Sequence, residues 1–252
     1  MAIDMSKMAA KKAAIENRGN GKGNFWRPDD GETTIRILPT ADGDPFKEFF
    51  FHYNVGKNPG FLSPKKNFGE DDPLDSFVRK LFNEGDEESI KMAKNLMARQ
   101  RFFSPVIVRG EEDKGVQIWG YGKMVYQNLL NLVLNPDYGD ITDPESGTDL
   151  VIHYGKPAGA QFPQTKITPR RKSSALTGDD GQTTEWLESI PEFDDLFERK
   201  TPAEVGQMLD EFLSTDASAE AASTETMQYS SGPQASGGAT SVDDAFNELL
   251  GQ

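Results

Sequence analysis

The chain of 252 residues contains no cysteine and only two histidines, His52 and His153. Without cysteine it cannot form a disulfide, a thiolate-ligated zinc site or a cysteine nucleophile. Two histidines leave little scope for acid–base catalysis or a multi-histidine metal centre. The longest apolar runs, such as residues 129–134, are far shorter than the roughly 20 residues that a membrane span needs. Residues 1–17 also lack the continuous apolar stretch of a secretory signal. These absences favour a soluble, intracellular protein that contacts no membrane and holds no metal or cofactor.

Basic residues are scarce at the C-terminal end. Residues 178–252 carry 17 of the 41 Asp and Glu but only two basic residues, Arg199 and Lys200. Residues 1–177 hold 25 Lys and Arg against 24 Asp and Glu, so a nearly neutral body precedes a strongly acidic tail. Acidic chain ends are typical of disordered interaction tails, and such a tail can occupy a basic groove on its own body. A tail that only increases solubility is the alternative.

The pattern along the chain predicts four segments. Residues 1–24 combine a short amphipathic basic helix with a glycine-rich joint, which indicates an N-terminal arm or a frayed terminus. Residues 25–177 contain about five strand-like stretches, at residues 33–38, 46–55, 102–109, 115–121 and 149–154, with helical insertions at residues 87–98 and 123–134. This pattern predicts a mainly β fold with helical insertions, in which a five-stranded Greek-key barrel of the OB type forms the core.

The acidic end itself divides into three parts. Residues 178–213 are predicted to be helical and to pack on the core, because Thr201 and Glu204 form a capping box before a helical apolar pattern. Residues 214–252 are predicted to be disordered, with a polar linker before a short amphipathic peptide. A short apolar stripe on a tether is typical of a partner-binding peptide. Its candidate residues are Val242, Asp243, Asp244, Phe246, Leu249 and Leu250.

Aromatic and basic residues alternate along the hairpin predicted at residues 99–123. Aromatic rings beside Lys and Arg are how many proteins hold single-stranded nucleic acid, because bases stack on rings and phosphates need cations. Trp119 and Tyr121 share one face of their strand, so both are expected to face either a ligand or the core. Arg36 lies between two apolar strand positions and is expected to point out of the core.

Two further basic patches complete the candidate site. The densest run is Arg-Arg-Lys at residues 170–172, and a weaker patch lies among the aromatic residues at 57–68. The candidate residues for single-stranded DNA are Arg36, Lys57, Lys65, Lys66, Arg99, Arg101, Phe102, Phe103, Arg109, Trp119, Tyr121, Lys123, Arg170, Arg171 and Lys172. Enzymatic signatures are weak, since the acidic clusters at residues 70–75 and 137–143 are more typical of loops than of metal sites. We therefore expect no enzymatic activity.

In their order and spacing, these segments resemble the helix-destabilising single-stranded DNA-binding proteins of the T-even type tailed phages. The resemblance runs from about residue 31 to residue 212. Its best anchors are residues 31–39 (Gly-Glu-Thr-Thr-Ile-Arg-Ile-Leu-Pro), the hairpin of residues 99–109 and 115–123, and the helical stretch 186–212. The resemblance implies an OB-fold core with a DNA cleft, an arm that contacts neighbouring protomers on DNA, and an acidic end that recruits replication and recombination proteins.

This family coats single-stranded DNA in the cytoplasm of the infected host cell during replication, recombination and repair. The resemblance places Arg36 and the aromatic residues of the hairpin, Phe102, Phe103, Trp119 and Tyr121, at cleft positions, with Arg99 and Arg101 beside them. Two departures are expected to matter. The family's best-known member binds zinc through one histidine and three cysteines, whereas here only His52 remains, and packing of Leu74 and Phe77 is expected to replace the metal. The family's basic Lys/Arg-Ser/Thr motif is clear only at residues 170–174.

Two other functions fit parts of the same pattern. An acidic scaffold or interaction protein without DNA binding would have all of its aromatic residues in the core. A metal-dependent nuclease would use the Asp clusters.

Overall fold

A computed structural model describes residues 24–56, 58 and 60–224, and for residues 215–224 it describes the backbone alone. Within these ranges the chain forms eight β-strands, which belong to one mixed sheet, and six α-helices. Two compact units divide the described residues. The first contains those up to Glu48 together with Arg101–Leu196, and the second contains Phe49–Gln100 and the residues from Phe197 onward. The predicted mainly β fold with helical insertions is therefore confirmed.

The strands are β1 (Phe25–Trp26), β2 (Gly31–Ile37), β3 (Lys47–His52), β4 (Phe61–Leu62), β5 (Arg99–Val108), β6 (Gln117–Tyr121), β7 (Leu150–Gly155) and β8 (Gln164–Pro169). The helices are α1 (Pro64–Phe68), α2 (Pro73–Glu84), α3 (Glu87–Leu96), α4 (Lys123–Val133), α5 (Asp180–Glu188) and α6 (Pro202–Thr224). The helical insertions predicted at residues 87–98 and 123–134 correspond to α3 and α4. The sequence pattern missed α1, α2 and three short strands, β1, β4 and β8.

The first unit contains the strand order β1-β6-β5-β2-β7-β8. Strand β1 runs parallel to β6, while β5–β6, β2–β5, β2–β7 and β7–β8 are antiparallel. The predicted hairpin is confirmed as β5–β6, in which Phe102 is opposite Tyr121 and Ser104 is opposite Trp119. This hairpin and the β7–β8 hairpin provide most of the residues discussed below.

Strand β5 is buried on both faces. Its residues Phe102, Val106 and Val108 belong to an interior apolar cluster that also contains Trp119. On the opposite face, Ile107 packs in a second cluster with Trp186 of α5. A near-continuous apolar run is typical of a strand covered on both sides. The helical segment after residue 178 thus supplies part of the core of the first unit.

The second unit is built around α2, α3 and α6. Asp72 caps α2 by accepting a hydrogen bond from the backbone N–H of Asp75 (3.1 Å), and Pro73 follows at the first helical position. Leu74, Val78 and Leu81 of α2 form an apolar cluster with residues of α3 and with Val205 and Leu209 of α6. Helix α6 continues to Thr224, so it extends into the segment from residue 214 onward that the sequence pattern predicted to be disordered.

Two predicted segments, the N-terminal arm up to residue 23 and the terminal peptide, lie outside the described residues. In the part of the chain that the structure describes, no helix is both long enough and apolar enough to cross a bilayer.

Candidate nucleic-acid interface

Three of the four predicted stacking rings belong to the interior apolar cluster of the first unit. Phe102, Trp119 and Tyr121 are at most 5% exposed and belong to the interior cluster. Phe102 stacks on Tyr126 with ring centroids 3.8 Å apart, and Trp119 meets Trp26 edge to face at 5.9 Å. The Tyr121 hydroxyl hydrogen-bonds to Ser104 Oγ at 2.7 Å, and burial raises the pKa of this phenol. Trp119 and Tyr121 therefore both face the core, which is one of the two arrangements that the sequence left open.

Phe103 points to the other face of β5 and is also fully buried. Its ring lies edge to face with that of Phe25, with centroids 6.3 Å apart. None of these four predicted rings is open to a nucleobase in this structure. An aromatic contact to a nucleobase would therefore require another, exposed ring.

Arg36 does not point to solvent as expected, since its exposure is 0%. Its Nε donates to Asp149 Oδ1 at 2.8 Å, its Nη1 donates to the carbonyl of Asp143 at 3.3 Å, and its Nη2 donates to both Oγ and the carbonyl of Ser174. The expectation was wrong because strand alternation gives the face of a residue but not what covers that face. Here loop segments cover the outer face of β2.

Arg109 shares the same carboxylate. It donates from Nε to Asp149 Oδ2 (3.2 Å) and from Nη2 to Oδ1 (3.0 Å), while its Nη1 donates to the carbonyl of Leu176 at 2.7 Å. Burial lowers the pKa of Arg36, the charge of Asp149 offsets part of this effect, and the nearby charge of Arg109 adds to the lowering. We call Arg36, Asp149 and Arg109 the arginine cluster. Both guanidinium groups are occupied by protein acceptors.

The remaining candidate cations differ in accessibility. Arg99 is half-buried, and its Nη2 donates to the carbonyl of Lys94 at 2.5 Å. Arg101 is half-buried near Gly122, and Lys123 is exposed at the first position of α4.

The second patch lies on α1. Lys65 and Lys66 are exposed there, with Lys65 Nζ 3.4 Å from an Asp75 carboxylate oxygen. Lys57 lies outside the described residues, as do all six residues predicted for partner binding.

Among the described residues, the β7–β8 hairpin and the loop after it form the most consistently basic accessible surface. Residues 150–178 contain no Asp or Glu, in a chain whose net charge is −14. The five cations in this stretch are all exposed: Lys156, Lys166, Arg170, Arg171 and Lys172. We call this set the basic hairpin surface. Only its last three residues were among the candidates from the sequence.

Strand geometry explains this exposure. Along β8, Lys166 and Thr168 alternate with Ile167, which packs against the interior cluster, so that the polar side chains face outward. Arg170 continues the exposed row and approaches Thr34 on β2, with Nη2 3.3 Å from Oγ1. Cations at alternate strand positions are therefore presented on one face, which is open to a polyanion.

An aromatic ring lies within the same acid-free stretch. Phe162, in the connection between β7 and β8, is 50% exposed, which makes it one of the most exposed large apolar side chains in the described part of the chain. Lys156 lies in the same connection and Lys166 follows on β8. The sequence does contain a signal for this surface, because 29 consecutive residues carry five cations and no acid. An alternation of aromatic and basic residues is absent from this stretch, so that pattern did not indicate it.

The acidic clusters have structural roles. Asp140 accepts hydrogen bonds from the N–H and hydroxyl of Thr142, and Asp143 accepts from the N–H groups of Glu145 and Ser146. These backbone hydrogen bonds lower the pKa of Asp143. Within the described residues, no group of three or more His, Cys, Asp or Glu side chains is arranged to hold a metal ion.

His52 is fully buried in the second unit. Its Nδ1 is 2.8 Å from the carbonyl of Leu96, and its Nε2 is 3.1 Å from Asp72 Oδ2, which also accepts from the Ser63 hydroxyl at 2.6 Å. We call Ser63, His52 and Asp72 the buried polar cluster. Leu74 is buried in the apolar cluster beside α2, and Phe77 packs against that cluster.

The site that the described residues define is thus a basic sheet surface with one exposed ring, separate from the buried aromatic core. Neither the protein-family models nor the curated proteins with which the chain was compared match it.

Proposed function

We propose that this protein binds single-stranded DNA without sequence preference, coating and protecting it during phage DNA replication, recombination and repair in the infected host cell. In this proposal, phosphates bind the basic hairpin surface and the acidic C-terminus recruits replication proteins. The observation that carries the proposal is the exposure of five cations in 29 residues that contain no acid, within a chain of net charge −14. Such a separation of charge favours a polyanionic ligand at one surface.

The chemistry of the surface fits a flexible single strand. Electrostatic binding releases counterions, and five phosphate contacts to a single strand correspond to a salt slope of log affinity near about −3.5. Phe162 offers a ring on which a base can stack, and stacking of one base contributes roughly 1–3 kcal/mol without regard to sequence. A rigid duplex keeps its bases stacked inside and cannot use this ring. The proposal therefore expects preference for single strands.

We also infer that the sheet of the first unit is a barrel of the OB type. Its support is the antiparallel order of β6, β5, β2, β7 and β8 around one apolar interior, with β1 parallel to β6 and α4 inserted between β6 and β7. OB folds commonly bind oligonucleotides on a sheet face and its adjoining loops. The basic hairpin surface occupies such a face.

The direct test is a titration of labelled oligo-dT and of a duplex of equal length, followed by fluorescence anisotropy at several salt concentrations. All three tryptophans are at most 7% exposed, so a labelled oligonucleotide reports binding more directly than protein emission does. We expect tighter binding of oligo-dT and a clear salt slope. Equal affinity for the duplex, or affinity insensitive to salt, contradicts the proposal.

Two variants locate the site. Replacing Arg170, Arg171 and Lys172 by Gln is expected to weaken binding and to make the salt slope shallower by about 2, at about 0.7 for each lost phosphate contact. The matched control replaces three exposed lysines of α2 and α3 by Gln: Lys80, Lys91 and Lys94. It removes the same charge elsewhere and should leave the slope nearly unchanged. Equal effects of the two variants would show that only net charge matters.

A second candidate function is that of an interaction protein without DNA binding. It is favoured by the burial of the four predicted stacking rings and by two exposed apolar side chains at α4, Met124 (74%) and Leu134 (77%). If this alternative holds, Phe162→Ala leaves oligo-dT binding unchanged because no specific binding exists. Under the DNA-binding proposal the same variant weakens binding while the protein stays folded.

A further inference from the structure

We propose that Arg36, Asp149 and Arg109 position the basic loop at residues 170–174 for phosphate binding and do not contact DNA themselves. This inference rests on the proposed function, because it assigns a role to buried residues of the same site. It reverses the role that the sequence predicted for the two arginines, from ligand contact to support.

Both ends of the basic loop are held by backbone hydrogen bonds to the segment that precedes β7. The N–H of Arg170 donates to the carbonyl of Asp149 at 2.9 Å, and the N–H of Ser174 donates to the carbonyl of Gly147 at 3.0 Å. Further along, the N–H of Leu176 donates to the carbonyl of Pro144 at 2.7 Å. These bonds tie the loop to the segment that leads into β7.

The two arginines of the cluster also hydrogen-bond to this stretch of the chain. Arg36 Nη2 donates to the carbonyl (3.0 Å) and to Oγ (2.8 Å) of Ser174, the last residue of the basic loop. Arg109 Nη1 donates to the carbonyl of Leu176, two residues later. Arg36 on β2 thus bonds to the basic loop itself, and Arg109, directly after β5, bonds to the chain just beyond the loop. Asp149, directly before β7, pairs with both arginines.

The charge balance of the arginine cluster explains why it needs hydrogen-bond acceptors from the loop region. Two guanidinium groups face one carboxylate, and a buried charge is costly unless it is paired and hydrogen-bonded. The carbonyls of Asp143, Ser174 and Leu176 supply the remaining acceptors. If the loop moved away, these N–H groups would lose their partners. The cluster therefore favours one loop position, in which the exposed side chains of Arg170, Arg171 and Lys172 point outward.

Close packing leaves little room for other arrangements. A Cβ at Gly147 would lie 2.4 Å from the carbonyl oxygen of Asp143 and 2.9 Å from Arg36 Nη1. Distances below 3.0 Å between such atoms require the surrounding backbone to shift. The segment that accepts the N–H of Ser174 through the Gly147 carbonyl is therefore closely packed against Arg36, as expected for a support of the basic loop.

The test is a double-mutant cycle that combines Arg36→Lys with the triple Gln variant of the basic loop, measured by oligo-dT affinity and its salt slope. Lysine keeps the positive charge but cannot make the four hydrogen bonds of the guanidinium fork. We expect Arg36→Lys alone to make the salt slope shallower by about 1.4–2.1, which corresponds to two or three phosphate contacts. In the triple-Gln background the same substitution should have no further effect, because the charges it positions are gone.

The control is Arg79→Lys, which changes an exposed ion pair with Asp75 by the same chemistry and should leave the slope unchanged. An additive effect of Arg36→Lys in both backgrounds overturns the proposal, since it indicates direct contact with DNA. An unchanged slope in Arg36→Lys overturns it as well. If Arg36→Lys does not fold, Ser174→Ala removes only one acceptor and should shift the slope in the same direction by a smaller amount.

Limited trypsin digestion without DNA separates this proposal from the proposed function. The loop contains three consecutive cleavage sites, and Arg36→Lys is expected to increase the cleavage rate there about tenfold or more while Arg79→Lys does not. If wild-type protein fails to bind oligo-dT, the proposed function is wrong. In that case the rate of cleavage at residues 170–172 still tests whether the arginine cluster holds the loop. Equal cleavage rates in wild type and Arg36→Lys would refute this positioning role.

Discussion

At the scale of single residues, the buried polar cluster of Ser63, His52 and Asp72 connects several elements of the second unit through hydrogen bonds. A carbonyl oxygen can only accept, so His52 Nδ1 carries the hydrogen that binds Leu96. His52 Nε2 lies 3.1 Å from Asp72 Oδ2. Asp72 is also the N-cap of α2, and Ser63 is the N-cap of α1. The buried polar cluster thus joins β3, the starts of α1 and α2, and the end of α3.

Asp72→Asn is expected to destabilise the protein by about 3 kcal/mol, because it leaves a buried hydrogen-bond network without its charge. Burial by itself would raise the pKa of Asp72, but hydrogen bonds from His52 and Ser63, together with the charge of His52, outweigh it and the pKa is lowered. This stabilisation is present above the unfolded pKa of about 3.9 and is lost as pH falls through the lower folded value. Urea unfolding should therefore show the difference between wild type and variant shrinking below about pH 4.

The control for this experiment is Asp86→Asn at the N-cap of α3. Asp86 is exposed and caps through Ser89, and asparagine caps helices about as well as aspartate. Its free energy of unfolding should remain close to wild type at neutral pH. If both variants lose the same stability, capping alone explains the role of Asp72 and the buried cluster adds nothing.

At the scale of elements, the space available to a Cβ distinguishes two glycines, one inside α6 and one directly before β4. Gly206 lies inside α6, where a Cβ would be 3.9 Å from Pro73 Cγ, an ordinary van der Waals distance. Gly60 precedes β4, where a Cβ would be 2.7 Å from the ring of Tyr53. Tyr53 is 1% exposed, so its ring cannot move aside freely. The two positions should respond to the same substitution with opposite signs.

Gly206→Ala is expected to raise the free energy of unfolding by up to about 1 kcal/mol, because alanine has the higher helix propensity. Gly60→Ala should lower it by roughly 1–3 kcal/mol through overpacking. Thermal and urea unfolding of both variants measure the two changes, and each serves as the control of the other. A loss of stability at Gly206 would show that α6 does not pack on α2 as described.

At the scale of the whole molecule, the separation of charge governs what the chain can bind. Residues 225–252 contain four acidic residues and no basic ones: Glu225, Asp243, Asp244 and Glu248. An acidic segment attached to a protein with a basic surface competes with DNA at a high effective concentration. This competition is electrostatic and weakens with added salt.

Deletion of residues 225–252 is expected to increase oligo-dT affinity at low salt and to have a smaller effect at high salt. The deletion leaves the whole of α6 in place, since that helix ends at Thr224. Substitution of the four acids by their amides should reproduce the increase, whereas Phe246→Ser together with Leu249→Ser should not. An unchanged affinity after the deletion would leave the tail a role in recruitment or solubility only.

Much of the fold follows from local patterns. Two strand-like stretches on either side of a charged turn predicted the β5–β6 hairpin, and the helical spacing of apolar residues predicted α3 and α4. The two-residue strands β1 and β4 carry too few residues to show a period, and β8 alternates polar residues with only one large apolar side chain, Ile167. Helices α1 and α2 begin with a proline in a charged stretch, and their caps at Ser63 and Asp72 are clear only once the hydrogen-bond partners are known.

The sequence by itself determined the distribution of charge, the absence of thiol chemistry and the alternation that places Trp119 and Tyr121 on one face, because these depend only on residue identity and strand period. Tertiary structure decided which face is covered. It buried Phe102, Phe103, Trp119 and Tyr121, enclosed Arg36 against Asp149, and left Lys166, Arg170 and Phe162 exposed. Burial depends on which distant segments pack on a surface, and no local pattern specifies those contacts.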